Sequence, residues 1–396
     1  MKPLYHQQPF ATRFRSRVTA LEGRRVALEA SLFYPEGGGQ NADAGELRWA
    51  TGSARVTDVQ KSGGQVWHTL EGDLPTPGLE VEGEIDADRR LRHSQRHTAE
   101  HLLAQAFLRV NPAFRVQAVS MRSEECSLDL EGDPTPEDAE AAERTVMNAV
   151  YRDLRISDLE VPEAELAHFP LRRPPQVSGR VRLVLVHDPQ EPSGYWEVSA
   201  CGGTHLSSTA LAGPIVVLRL ERVHGSLTRV FFSAGLEAHA RLTHTYRTAR
   251  DLARSFSSGI DQLTERVEAL RASALEDARK LARTQEQLAG FLVHQAPQEL
   301  LSAGRVRILK LEDEALIKPV SQALTQLPET LGVVYTVSGR LAVTSTLPRP
   351  AREVLTEILR AAGGRGGGSP TLAQGSAPAE ALAGAVTDWL NQTRPS

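Results

Sequence analysis

Cysteine is scarce in this chain of 396 residues, which carries only Cys126 and Cys201. Two thiols cannot build a disulfide framework, so a reduced, cytoplasmic setting is the expectation. Long apolar runs are missing too. The longest, around Ile215–Leu218 and Gly332–Val337, fall far short of the roughly 20 residues that span a bilayer. Met1 to Arg17 mixes His, Gln and Arg without an apolar stretch, which argues against a secretory signal. Charge of one sign is not in excess: the net charge is −4. That balance argues against a chain coated in nucleic acid, yet it leaves room for a local basic face. Such clusters occur at Arg13, Arg15, Arg17, Arg24 and Arg25, and again over 89–96. Each also reads as an ordinary solvated surface.

What is present is a globular composition, 40% hydrophobic and 24% charged. At about 100–200 residues per domain the length suggests two to four domains. Residues 1–90 show short alternating runs, Arg25–Leu32, Gly45–Ala50 and Gln65–Leu70, broken by Gly, Asp and Pro. These predict a small β-barrel. Residues 91–236 mix helices (Leu91–Val110, Glu137–Tyr151) with strand candidates (Arg115–Met121, Cys126–Leu130, Val181–His187, Tyr195–Ser199, Ile215–Val223, Thr228–Ser233). Without strict alternation they predict an α+β domain. Residues 237–300 read as a helical, coiled-coil arm with a break at Ser257–Gly259. Residues 301–396 predict a small α/β domain. Its strands are Val306–Leu311, Gly332–Val337 and Leu341–Ser345, and its helices Glu314–Leu327, Pro350–Ala362 and Pro378–Gln392.

Two spacings carry chemistry. His97 and His101 stand at i and i+4 on a predicted helix, on one face and close enough to share a metal ion. Cys201-Gly202-Gly203-Thr204-His205 places a thiol and an imidazole four residues apart across a glycine turn. Together His97, His101, Cys201 and His205 form a three-histidine, one-cysteine set, borderline-soft and suited to one tetrahedral Zn2+. The run from His97 to His101 also fits the H-x-x-E-H protease pattern, with Glu100 as general base. That class takes a downstream glutamate as third ligand, whereas here the Cys–His turn offers ligands and leaves Glu100 a helix-surface acid.

Two glycine-rich segments stay open between alternatives. Ser31 to Gln40 reads as an entering strand and a stiff Pro35 turn, with Gly37, Gly38 and Gly39 allowing close backbone approach to a ligand. It also reads as a flexible hairpin. Gly363–Gly368, holding Arg365, reads as an amide-lined anion site or as a linker. Neither precedes the Lys-Ser/Thr of a nucleotide-hydrolysing loop.

Taken together, His97–Leu103 with Cys201–His205 resembles the editing domain of alanyl-tRNA synthetase and the free-standing AlaX trans-editing proteins. Phe33–Gln40, continued by Asp43 and Gly45, resembles the glycine-rich motif of their barrel. Cys126–Leu130 resembles the strand after the first metal helix. Residues 363–374 resemble the C-terminal domain shared with DHH phosphoesterases, whose Asp-His-His triplet is not found here. The resemblance covers essentially the whole chain. With no aminoacylation segment ahead of the barrel, it points to the long AlaX form.

The resemblance implies an aminoacyl-tRNA deacylase that hydrolyses tRNA(Ala) mischarged with serine or glycine and spares Ala-tRNA(Ala). It implies zinc on His97, His101, Cys201 and His205, a pocket shaped by Gly37, Gly38, Gly39 and Gln40, and a phosphate contact at Arg365. It also implies a homodimer through the arm or the C-terminal domain. Many relatives carry threonine where this chain has Ser31, which keeps the hydroxyl and loses the methyl. Ser31 and Gln40 are the expected readers of the serine hydroxyl. Cys201 is the ligand expected to leave if the closed set must open for catalysis. A catalytically inactive zinc-containing tRNA-binding module is the alternative.

Overall fold

The computed structural model describes residues 3–174, 179–223, 225–301 and 304–394. The chain is α+β and divides into two compact units, Met1–Asp251 and Leu252–Ser396.

The first unit opens with a short helix, α1 (Leu4–Gln7), and a closed six-stranded antiparallel barrel. Its strands are β1 (Arg13–Glu22), β2 (Arg25–Leu28), β3 (Gly45–Trp49), β4 (Gly52–Ser62), β5 (Gln65–Gly72) and β6 (Glu80–Ile85), in the order β1-β2-β5-β4-β3-β6. Alternation fills the interior with Val18, Val26, Leu47, Val56, Leu70 and Val81. The outward residues of β1 explain the first basic cluster. Arg13, Arg15 and Arg17 lie opposite Glu84, Glu82 and Glu80 of β6 and pair with them on the surface. These three form a cross-strand charge ladder; of the other two, Arg25 pairs with Glu22 and Arg24 donates to the Leu70 and Gly72 carbonyls.

The predicted strand over Arg25–Leu32 stops at Leu28, and Ser31–Gln40 is not an entering strand. Its first part is a loop with Ser31, Leu32, Phe33 and Tyr34 buried, and its end is a tight hairpin turn, in which Gly37 and Gln40 exchange backbone hydrogen bonds (3.1 and 3.0 Å) around Gly38 and Gly39. Asp43 holds it, accepting from the Tyr34 backbone N–H (2.7 Å) and from Arg90, which also donates to the Leu32 carbonyl.

Next comes α2 (Ala87–Val110), capped by Asp86, whose side chain accepts from the Arg89 backbone N–H at 2.9 Å. It is buried nearly all round, because the barrel loop, two sheets and a second helix surround it. Strands β7 (Val116–Ser120) and β8 (Cys126–Glu131) precede α3 (Pro136–Tyr151), which begins with a capping box at Thr135 and Asp138. Strands β9 (Ile156–Pro162), β10 (Arg180–His187) and β11 (Tyr195–Ala200) form one antiparallel sheet. Strands β12 (Ile215–Arg222) and β13 (Leu227–Ala234) complete a second sheet, ordered β12-β13-β8-β7. The basic stretch over 89–96 is not a single solvated face: Arg90 and Arg96 are buried, and Arg96 pairs with Glu237.

Two long helices follow, α4 (Gly235–Ser255) and α5 (Leu263–Gln295), separated near the predicted break. Leu270, Leu275 and Leu281 of α5 stand more than half exposed, so the middle of that helix has no apolar cover. The second unit then builds a six-stranded sheet from β14 (Gln298–Leu301), β15 (Gly304–Leu311), β16 (Thr330–Thr336), β17 (Arg340–Ser345), β18 (Arg365–Gly368) and β19 (Leu372–Ser376). Its helices are α6 (Ile317–Thr325), α7 (Ala351–Ala362) and α8 (Ala379–Thr393). The glycine run is no linker: it forms β18, the edge strand paired with β19.

One polar group inside the barrel yields a test. His68 is fully buried; its Nδ1 donates to the Val26 carbonyl (3.1 Å) and its Nε2 accepts from the Ser31 hydroxyl (2.8 Å). Burial drives its pKa down to about 4. Between that value and about 6.5 the unfolded chain binds a proton that the folded chain refuses, so stability rises with pH across this window. Chemical denaturation at pH 7 and pH 4 is expected to show about 3 kcal/mol of acid-side loss from this group. A His68→Gln variant should lack that component.

Candidate metal centre

The site is assembled on a polar stripe of α2. Arg90, Ser94, His97 and His101 recur at intervals of four, three and four, so they share one helix face. Each meets a different piece of the chain. Arg90 takes Asp43; Ser94 Oγ lies 2.9 Å from Thr204 Oγ1. His97 Nδ1 lies 2.8 Å from Gln40 Oε1, and His101 Nδ1 is 3.5 Å from Glu197 Oε2.

The turn after β11 brings the remaining donors. Cys201 Sγ lies 3.2 Å from His97 Nε2 and 3.2 Å from His205 Nε2. One donor atom from each of His97, His101, Cys201 and His205 falls within 4.8 Å of the others, so the four could hold a metal ion. Zinc bond lengths at tetrahedral angles require donor separations of about 3.3–3.6 Å, so a modest contraction closes the set.

Gly203 makes this approach possible. A Cβ there would sit 2.0 Å from His97 Cε1, so only glycine lets the turn lie against the ring. The turn is pinned on both sides. Thr98 Oγ1 accepts from the Leu206 N–H (3.1 Å), and Arg182 donates to the Cys201 (2.8 Å) and Gly203 (3.0 Å) carbonyls.

Gln40 joins the barrel loop to the cluster. Its Oε1 accepts from the Thr204 N–H (3.1 Å), and its Nε2 donates to Thr204 Oγ1 (2.9 Å). The oxygen therefore faces His97, whose Nδ1 must donate to it. That fixes the tautomer and leaves the Nε2 lone pair for a metal. Gly38 and Gly39 hold left-handed backbone (φ 57° and 83°) in the turn before Gln40, and Gly39 packs on Val119.

Electrostatics favour a cation at the centre. Burial works to raise the Cys201 thiol, but the imidazoles of His97, His205 and His101 outweigh it and hold it well below its ordinary value. Burial holds His205 down at about 3, a neutral ligand. Burial also opposes charge on His101, yet Cys201, Glu197 and Glu100 overcome it and lift that ring to about 10. The cluster thus keeps a positive charge where a metal would supply one. His101 Nδ1 and Glu197 Oε2 are both buried without a hydrogen-bond partner, and they face each other. Metal at Nε2 fits this pair, because it would turn the ring's other nitrogen into a donor toward the carboxylate.

Residues 7–89 match the family described as tRNA synthetases class II (A). Residues 181–231 match the threonyl and alanyl tRNA synthetase second additional domain. The alanine–tRNA ligase of Pyrobaculum neutrophilum is 34% identical over 381 residues, covering 94% of this chain and 42% of that protein. That of Thermococcus kodakarensis is 32% identical over 386 residues, 94% of this chain and 41% of that protein. That of Methanopyrus kandleri is 34% identical over 367 residues, 88% and 39%. The chain belongs to the alanyl-tRNA synthetase-related editing-domain family. It spans about two fifths of the length of these relatives.

Within this family framework the expected site residues separate. His97, His101, Cys201, His205 and Gln40 come together. Ser31 is held inside the barrel by His68 and by the Phe33 N–H (3.1 Å), and no hydrogen bond joins it to the cluster among the described residues. Arg365 is exposed on the edge strand β18 of the second unit. Glu100 is not a helix-surface acid: it is buried, with Arg172 3.7 Å away. Glu197, Arg172, Ser94 and Thr204 are the contributors that spacing arguments missed. The 4-3-4 polar stripe on α2 was the available signal for Ser94.

Two substitutions test the centre by competition titration against a chromophoric chelator. Glu197→Gln should weaken metal binding by about 10–100-fold, because a lone oxygen and an amide replace the carboxylate facing His101. Gly203→Ala should abolish tight binding, since its Cβ displaces the His97 ring. Unchanged affinity in both would contradict this geometry.

Proposed function

We propose that the chain is a trans-editing hydrolase that deacylates tRNA(Ala) mischarged with serine, with glycine as the second substrate, and spares Ala-tRNA(Ala). The carrying observation is the convergence of His97, His101, Cys201 and His205 with Gln40 at their edge, in a chain related to alanine–tRNA ligases. Zinc is the metal that this donor set fits best; when bound, it supplies a Lewis acid for an ester carbonyl or a water.

The chain's own residues set how an ester reaches the centre. His97, His101 and His205 are buried, whereas Cys201 is only partly covered and Gly202 faces open space. Substrate therefore approaches from the Cys201–Gly202 side. Aromatic groups wall that side: the His6 ring bonds the Gly202 carbonyl (2.8 Å), and Tyr5 packs edge-on against Tyr34. Burial, aided by Cys201, raises the Tyr34 hydroxyl well above its usual range, so it stays protonated and donates to the Gly37 carbonyl (3.1 Å).

Selectivity rests on unpaired polar groups. A pocket built to bond the serine hydroxyl leaves its own groups unsatisfied when alanine enters, and such designs reject the analogue by roughly 10⁴-fold. We assign this role to Gln40, which stands at the edge of the cluster, and to Ser31, which would have to exchange its bond to His68 for one to the substrate. We assign the barrel to 1–90, the editing domain to 91–236, the arm to 237–300 and a tRNA-gripping or dimer-forming domain to 301–396, with Arg365 on phosphate. No described helix is long and apolar enough to cross a membrane, and we place the activity in the cytoplasm.

A second reading has an observation in its favour: four protein ligands normally mark a closed, structural site. On that reading the chain binds tRNA and hydrolyses nothing. Hydrolysis of Ser-, Gly- and Ala-tRNA(Ala), with and without a chelator, separates the two. Editing predicts zinc-dependent loss of the serine or glycine ester only, with Gln40→Ala and Ser31→Ala lowering the serine-to-alanine rate ratio. No ester loss from the zinc-loaded chain would leave the binding module standing.

A further inference from the structure

Beside the metal cluster lies a cavity of about 780 Å³ whose charged lining is all arginine: Arg109, Arg115, Arg172 and Arg173, with no carboxylate among the lining residues. Two of the four are fixed in place. Arg109 pairs with Glu191 (2.7 Å), donates to the Trp196 carbonyl (2.9 Å) and stacks over the Trp196 ring. Arg172 lies 3.4 Å from Glu197 and 3.7 Å from Glu100, and it donates to Ser199 Oγ (3.3 Å). Arg115 and Arg173 are exposed and have no ion pair among the described residues. Leu108 and Phe114 give the cavity an apolar floor.

Such a lining has the chemistry to take a nucleotide rather than a neutral ligand. Guanidinium pairs grip phosphate bidentately, and an apolar floor with arginines at its rim accepts the face of a base. Its location says which nucleotides. Ser199, which Arg172 touches, lies near the end of β11, two residues before Cys201 in the turn that follows the strand. Glu100 and Glu197 connect Arg172 directly to the surroundings of His101.

We propose that this cavity binds the single-stranded ribose-phosphate backbone next to the acylated end of the substrate RNA. Arg115 and Arg173 make the phosphate contacts, and Arg172 and Arg109 form the pre-organised wall. The inference rests on the editing reading for the identity of the RNA, but not for its binding.

The test uses the full chain, zinc-loaded, and a short fluorescent single-stranded RNA ending in CCA, followed by anisotropy over a range of salt. An Arg115→Ala/Arg173→Ala double variant should bind at least ten-fold more weakly. Its log K against log salt slope should be shallower by about 1.4, at about 0.7 per lost single-strand phosphate contact. Arg144→Ala, on the exposed face of α3, serves as the control and should bind as the parent does. Affinity and slope unchanged in the double variant would overturn the proposal. So would ADP binding that depends on Arg115 and Arg173 while RNA binding does not, because the cavity would then serve a free nucleotide. RNA binding through the cavity without hydrolysis of any ester would refute the editing reading alone. Hydrolysis of the serine ester with the same KM in parent and double variant would refute the cavity alone.

Discussion

The closeness of the turn at residues 201–205 to helix α2 is the constraint on which the rest of the site depends. Cys201 and His205 are about a hundred residues from His97 and His101 along the chain. They meet only because Gly203 presents no side chain to the His97 ring. Hydrogen bonds at Ser94–Thr204 and Thr98–Leu206 hold the two pieces at that distance. Gln40 then ties the barrel loop to both pieces at once, and the buried Asp43–Arg90 pair keeps that loop in place. Removing one partner of such a buried pair leaves a charge without compensation, at a cost of about 3–5 kcal/mol. The barrel is thus a structural part of the candidate metal centre, since one of its loops bonds His97 Nδ1 and leaves Nε2 toward the cluster.

The same packing explains which features were visible in the amino-acid order. The His97/His101 and Cys201/His205 spacings are local, so helix and turn geometry alone predict their shared direction. The strand near Val181 shows in the order as an apolar run, because its two faces are buried in two different clusters, Val184 and Val186 in one and Val181, Leu183 and Leu185 in the other. Glu197 gave no local sign. Its role comes from facing His101 across a strand-to-helix interface, and nothing in Tyr-Trp-Glu-Val-Ser announces that. Nothing in the order of residues marks Glu100 as buried; the barrel loop, the sheets and α3 cover α2 on nearly every side. The loop from Ser31 to Gln40 has strand-like composition but no partner strand, and its backbone is satisfied by Asp43 and Arg90 instead. The glycines at 363–368 read as a linker or an anion site, and they pair as the edge strand of a sheet.

Charge placement follows one logic across the first unit. Of the arginines that look like a nucleic-acid face on the barrel, Arg13, Arg15, Arg17 and Arg25 pair with glutamates, and Arg24 donates to the Leu70 and Gly72 carbonyls. Arginines at the start of α2 are partly consumed by buried carboxylates. In the cavity beside β11, Arg115 and Arg173 are exposed and carry no ion pair among the described residues, and no carboxylate lines it.

Four side chains from two distant segments are placed to hold one metal ion, and X-ray absorption at the zinc edge of the loaded protein reads their identity. One sulfur neighbour at about 2.3 Å and three nitrogen neighbours at about 2.0–2.1 Å are expected, with the sulfur lost in Cys201→Ser. A spectrum with no sulfur, or one dominated by oxygen, would contradict that placement.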